Sequence, residues 1–309
     1  MARIVVAEFM DERAVARLAA KHEVHYDAKL VDDASRLAAE AARCDAIIVR
    51  NRTQVRGALL DALVPRCKVV GRLGVGLDNI DVEACEARGM QVIPATGANA
   101  LSVAEYVVCT AMLLLRGAYQ SSAQVADGTW PRAALSNGRE AAGKTLGLIG
   151  FGSIGQHTAR LAKALGMQVI AFDAMMDADH PAFAAHGVRC TGLDEVIRAA
   201  DVVSLHVPLV PSTRGLFGAE RIARMKKGAV LINTARGGIV DEVALAQALR
   251  SGTLGGAALD VFDSEPLAAA PPFAQCPNLV LTPHVAGVTA EANERVSFLI
   301  ADKVVEALG

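Results

Sequence analysis

Residues 150–155 read Gly-Phe-Gly-Ser-Ile-Gly, and their setting constrains this chain more than any other feature. Alone, GxGxxG is a weak signal. Here it follows the apolar run TLGLI (145–149) and opens the amphipathic run QHTARLAKAL (156–165). A second apolar run, QVIAF (168–172), then ends at Asp173, 18 residues past Gly155. Strand, glycine turn, helix, strand and acid together form the unit that cradles a dinucleotide. Gly150 permits the tight turn, Gly152 lets the backbone approach a pyrophosphate, and Gly155 lets the helix lie close on the strand. The diphosphate would rest on N–H groups where the helix starts, at Ser153 and Ile154. Asp173 would accept hydrogen bonds from ribose hydroxyls and repel a 2′-phosphate. The next residues, Ala174, Met175 and Met176, supply no cation. The pattern predicts NAD(H) rather than NADP(H) as cofactor.

Around this unit, short apolar runs alternate with amphipathic segments. Strands are expected at 3–8, 22–26, 46–50, 69–73 and 91–94, and a second series at 145–149, 168–172, 202–207, 230–234, 257–262 and 279–282. Alternation of this kind predicts an α/β fold with two doubly wound parallel-sheet domains and a cleft between them. A long apolar helix is expected over 99–116, between the series, and a last helix over 289–308. If that last helix crosses back, the first domain is discontinuous: 1–97 plus 286–309, with the cofactor domain at 98–285.

Composition narrows the function classes. The chain has 309 residues, 52% of them apolar, which suits two packed domains rather than disorder. A net charge of −2 gives no reason to expect nucleic acid or an anionic membrane as partner. The six cysteines are scattered and none has metal-ligand spacing, so no metal is expected and a reducing compartment is. The N-terminal segment lacks a signal-peptide pattern, and the longest apolar stretch, 106–115, is about half a bilayer span. These point to a cytoplasmic protein.

Three polar residues stand near the ends of apolar runs. Arg236 closes VLINTAR, Glu265 follows ALDVFDS, and His284 follows LVLTP. The C-terminal ends of parallel strands face the ligand crevice in such folds. A planar guanidinium can fork onto a carboxylate and a carbonyl of one small acid. An imidazole titrates near neutrality, so His284 is the natural proton carrier, and Glu265 can orient it. With a dinucleotide, these three groups suit reduction of a 2-oxo acid.

The motifs GRLGVGLDNID (71–81), ANALSVAEY (98–106), GKTLGLIGFGSIG (143–155), LHVPLVPSTRGLFG (205–218), AVLINTARGGIVDE (229–242), ALDVFDSEP (258–266) and LTPHVAGVT (281–289) resemble the D-isomer-specific 2-hydroxyacid dehydrogenases. The resemblance runs over almost the whole chain. It implies a Rossmann-type NAD domain, a flavodoxin-like substrate domain and a homodimer built largely on the NAD domain. It puts Arg236, Glu265 and His284 at the family's catalytic positions. It puts His206, Val207, Pro208, Thr234, Ala235 and Asp260 beside the cofactor, and Val103 and Gly287 complete that candidate set. Gly74, Val75 and Gly76 fall where the family offers backbone N–H groups to the substrate carboxylate, and Arg50 lies in the loop facing the substrate.

The substrate is the least specified part. The segments VRNRT (49–53) and GRLGVGLDNID are similar to phosphoglycerate dehydrogenases, yet the chain stops at Gly309, without the regulatory extension many of them carry. Arg139 also stands where a small or polar residue is common. The segment ATGANALSVAEY (95–106) is similar to sulfolactate dehydrogenase-type members. The expected substrate is a C3 acid with an anionic or hydroxyl group at C3, with glyoxylate or hydroxypyruvate as the alternative. A second anion would need a further cation, for which Arg50, Arg52, Arg72 and Arg132 are the candidates. An NAD(H)-sensing regulatory protein is the reading from another class.

Overall fold

The computed structural model describes residues 1–268 and 271–309. Its strands are β1 (Arg3–Val6), β2 (Glu23–Tyr26), β3 (Ala46–Val49), β4 (Val69–Arg72), β5 (Gln91–Pro94), β6 (Thr145–Ile149), β7 (Gln168–Phe172), β8 (Arg189–Cys190), β9 (Val202–Leu205), β10 (Ala229–Asn233), β11 (Leu254–Leu259) and β12 (Leu279–Leu281). Among the described residues they form two sheets, with orders β2-β1-β3-β4-β5 and β12-β11-β10-β9-β6-β7-β8. Every pairing between strands is parallel. Both orders reverse direction once, as in doubly wound folds: between β1 and β3, and between β6 and β9.

The chain divides into two compact units, residues 1–99 with 288–309, and residues 100–287. In the first, β3 is buried along its whole length, as a parallel strand covered on both faces must be. The helix Ala290–Leu308 packs Val296, Ile300, Ala301 and Val304 against Ile4, Ile48 and Val69 of that sheet. Thr289 starts it by accepting from the Ala292 N–H at 3.0 Å. In the second unit, the helix Ala100–Arg116 buries Val103, Val107, Ala111 and Leu114 with Leu146, Leu148 and Phe151. Asp241 caps the helix Glu242–Arg250 by accepting from the N–H groups of Val243 and Ala244, both at 3.0 Å.

Two sequence expectations need correction. The second sheet has seven strands, because Arg189–Cys190 adds an edge strand. Two residues carry no periodicity from which a strand could be read. Several strands also stop short of their expected C-terminal ends. β1 ends at Val6, β3 at Val49, β9 at Leu205 and β11 at Leu259, so the polar residues beyond them sit in loops. Among the described residues, no single helix is long and apolar enough to cross a membrane.

Candidate active site

The strands β10, β11 and β12 are neighbours, and each hands its chain to a loop that carries one residue of the expected triad. The buried Asn233 ends β10 and brackets the turn bearing Arg236. Its Oδ1 accepts from the Ala235 N–H at 3.0 Å, and its Nδ2 donates to the Arg236 carbonyl at 2.9 Å. The Arg236 Nη1 donates to the Ala235 carbonyl at 2.6 Å. The next two residues tie this loop to the one after β11. The Gly238 N–H donates to Asp263 Oδ1 at 2.6 Å, and a Cβ on Gly237 would lie 1.8 Å from the Phe262 carbonyl oxygen. Only glycine lets these two backbones approach so closely.

Glu265 links the second loop to the third. Its Oε1 accepts from the Phe262 N–H at 3.0 Å, and its Oε2 accepts from His284 Nδ1 at 2.7 Å. The imidazole is about half exposed. Because the carboxylate accepts at Nδ1, Nε2 is the nitrogen left to serve a substrate oxygen. His284 itself has φ +55°, a backbone conformation uncommon outside glycine. Asp260, 1% exposed, holds that turn. Its Oδ1 accepts from Thr282 Oγ1 at 2.6 Å and from the Val285 N–H at 2.8 Å, and its Oδ2 accepts from the Ala286 N–H at 2.8 Å. Tyr106 shares a hydrogen bond of 2.6 Å with Thr282 behind it. Half-buried Gly287 follows directly.

The cofactor residues gather at the switch point between β6 and β9. Gly150 has φ +97°, and a Cβ there would sit 2.3 Å from the His206 carbonyl oxygen. A Cβ on Gly155 would sit 2.5 Å from the Gly150 carbonyl oxygen, whereas one on Gly152 would meet nothing within 4 Å. The space over Gly152 is therefore open at the start of the helix Ser153–Ala164, while the Ile154 side chain packs against the core. Asp173 is held beside it. Its Oδ2 accepts from the Phe151 N–H at 2.7 Å and its Oδ1 from the Met175 N–H at 2.8 Å, and each oxygen keeps a further lone pair for a hydroxyl.

His206 follows β9 and pairs its Nε2 with Ser204 Oγ at 3.0 Å. Burial pushes its pKa down to about 4, so the ring is neutral at pH 7. Its Nδ1 and the Thr234 hydroxyl are buried without a hydrogen-bond partner, which an incoming polar ligand would remedy. Open helix start, placed carboxylate and these two atoms fit a dinucleotide. Val207, Pro208 and Ala235 extend the same loops. Val103 is buried in the same core cluster as Phe151.

The first unit carries its own cluster at its switch point. Glu8, 4% exposed, lies just past β1 and accepts the N–H groups of Arg50, Thr53 and Arg52 at 2.8, 3.0 and 3.1 Å. Asn79 braces the same loop by donating to the carbonyls of Arg50 and Thr53 at 3.2 and 2.7 Å. The Arg50 Nη2 donates to Asn293 Oδ1 at 2.6 Å, and its guanidinium lies 5.8 Å from the Phe9 ring centre. Arg52 pairs with Asp32, Arg72 donates to the Leu73 carbonyl at 2.8 Å against Gly74, and Arg132 is exposed in the second unit. Val75 is exposed and Gly76 half-buried after β4. Sequence reasoning missed Glu8, Asn79, Asn233 and Asn293. Only Asn233, a polar residue closing the run VLIN, left a readable signal.

Comparison with known proteins matches residues 108–286 to the family model for the NAD-binding domain of D-isomer specific 2-hydroxyacid dehydrogenases. The chain is 52% identical over 309 residues to (S)-sulfolactate dehydrogenase of Chromohalobacter salexigens, covering 100% of this chain and 99% of that protein. It is 41% identical over 308 residues to D-3-phosphoglycerate dehydrogenase 2, chloroplastic, of Arabidopsis thaliana, covering 99% of this chain but spanning only 48% of that protein. The solved TT0316 protein of Thermus thermophilus superposes with a TM-score of 0.88 at 33% identity, covering 99% and 96% of the two chains. The glycine turn, the paired imidazole and carboxylate, and these likenesses agree: the chain belongs to the D-isomer-specific 2-hydroxyacid dehydrogenases, with NAD as its cofactor.

Proposed function

We propose that this protein interconverts a three-carbon 2-hydroxy acid and its 2-oxo acid, with Arg236, Glu265 and His284 as its working side chains. NAD(H), when bound along Gly150–Gly155 and Asp173, supplies or accepts the hydride. Arg236 forks its N–H groups onto the substrate carboxylate and carbonyl oxygen, which orients the acid and polarises the C=O. His284 Nε2 gives a proton to the forming alkoxide, and in the oxidative direction takes the hydroxyl proton. Glu265 holds Nδ1 and so aims the ring. The N–H groups of residues 74–76 receive the carboxylate, and Arg50 meets the far end of the substrate. The observation that carries this reading is the 2.7 Å pair between His284 and Glu265, one loop away from Arg236.

The likeness over nearly the full length of a sulfolactate dehydrogenase favours a substrate with an anionic group at C3. We read the active form as a homodimer. The second unit presents Met112, Tyr119, Val125 and Trp130 to solvent within one stretch of chain, Trp130 at 75%, and large exposed apolar groups of this kind suit a subunit interface. Its mass in solution by light scattering tests that part. The chemistry is tested by following NADH oxidation with sulfopyruvate, phosphohydroxypyruvate, hydroxypyruvate and glyoxylate. His284→Ala should lower kcat by orders of magnitude while NADH still binds, and turnover near the wild-type value would remove the proton-donor role.

A further inference from the structure

Arg50 is a half-buried cation with no carboxylate at salt-bridge distance among the described residues. Its side-chain hydrogen bond goes to the neutral amide of Asn293, and its other close neighbour is the Phe9 ring. The nearby acid, Glu8, is turned onto the backbone N–H groups of Arg50, Arg52 and Thr53. Arg52 makes a contrast, since Asp32 already neutralises it. Glu8 acts on the Arg50 guanidinium only through space, and a cation drawn out of water without a carboxylate in direct contact is costly, so such a site suits an incoming anion. Its position agrees. Phe9 follows β1 and Arg50 follows β3, the two strands flanking the point where the sheet order reverses, and ligands of open α/β sheets bind outside the C-terminal ends of the strands there.

We infer that Asn293 is a specificity-determining positioning residue. It fixes the Arg50 guanidinium through a neutral amide, so that the positive charge is kept for a second anion, a sulfonate or phosphate, on the C3 carbon of the substrate. This rests on the 2-oxo acid reading above. An aspartate of the same shape at this position would close an ion pair with Arg50 and cancel the charge.

Asn293→Asp is therefore the decisive variant. It is isosteric, and it adds an acid to the first turns of the helix Ala290–Leu308, where the helix dipole favours one, so the fold is retained. With NADH saturating, KM for sulfopyruvate should rise at least about tenfold more than KM for glyoxylate, the scale of one lost charge-assisted hydrogen bond. The kcat for sulfopyruvate should change far less. Asn293→Ala, which loosens the guanidinium but leaves its charge, should give the smaller split. Equal changes for both acids, or none, would overturn the inference, since a merely structural asparagine has no reason to distinguish them. A wild-type enzyme that reduces glyoxylate but neither sulfopyruvate nor phosphohydroxypyruvate would also overturn it. Failure of the wild type to reduce any of the acids would instead remove the reading beneath it.

Discussion

Replacing Gly237 with alanine tests whether the loops after β10 and β11 must touch for chemistry to occur. The new Cβ would lie 1.8 Å from the Phe262 oxygen, 2.1 Å from its carbonyl carbon and 2.7 Å from the Asp263 nitrogen. The first distance is more than an ångström inside any real approach of a Cβ, and all three atoms are backbone, so no side chain can swing aside. One loop must move. The Phe262 N–H anchors Glu265 Oε1, and Glu265 Oε2 holds His284, so the movement separates the imidazole from Arg236. A misplacement of about 1 Å costs on the order of a hundredfold in rate, and overpacking costs about 1–3 kcal/mol in stability. The assay is initial rates of NADH oxidation beside NADH binding by fluorescence and urea unfolding. The expected result is a folded protein that binds NADH, with kcat lower by about a hundredfold. Gly192→Ala serves as control, because a Cβ there meets nothing within 4 Å. A kcat within twofold of wild type for Gly237→Ala would refute the claim that this contact sets the catalytic geometry.

Three further outcomes follow from the cofactor residues. Gly152→Asp places a good helix-capping residue in open space, so thermal stability should hold or rise while NADH affinity falls at least tenfold through repulsion of the diphosphate; unchanged affinity would remove the anion from that helix start. Asp173→Ala should narrow the preference for NAD over NADP, and a fixed ratio of kcat/KM values would show that the carboxylate does not face the ribose. His206 is held below its ordinary value of 6.5, at about 4, so the unfolded chain binds more protons between those pH values. Its share of stability is present above pH 6.5 and is lost as pH falls toward 4, on the order of 3 kcal/mol in all. Urea titrations at pH 7 and 5 should show a smaller pH dependence for His206→Gln than for wild type, and equal slopes would contradict the buried neutral ring.

The parts of this site that were legible in the sequence are those where backbone geometry dictates residue type. Gly150 and Gly155 each lie where a Cβ would strike a carbonyl oxygen, so the turn could be read from its glycines. Arg236, Glu265 and His284 were readable as polar residues beyond apolar runs. What stayed hidden depends on distance along the chain. Glu8 reads as the end of an apolar strand, because nothing local says that its carboxylate turns to residues 50–53. Asn293 sits in an ordinary amphipathic helix, 243 residues from the arginine it holds. The left-handed backbone of His284 is likewise imposed from a distance, by the carboxylate of Asp260 gripping the residues on either side of it.

One device recurs in both units and accounts for how the proposed anion site could stay cationic in a chain with more acids than bases. Glu8, Asp173 and Asp260 all lie just beyond strand ends, and each accepts two or three backbone N–H groups. A carboxylate bonded to two or three amides is satisfied without a cation. Glu8 therefore shapes the loop without forming a salt bridge to the guanidinium of Arg50, which bonds an amide instead. On that proposal, substrate affinity depends on where the acids point more than on how many bases there are, and the exchange of one neutral amide for a carboxylate at Asn293 is the smallest change that would reverse that arrangement.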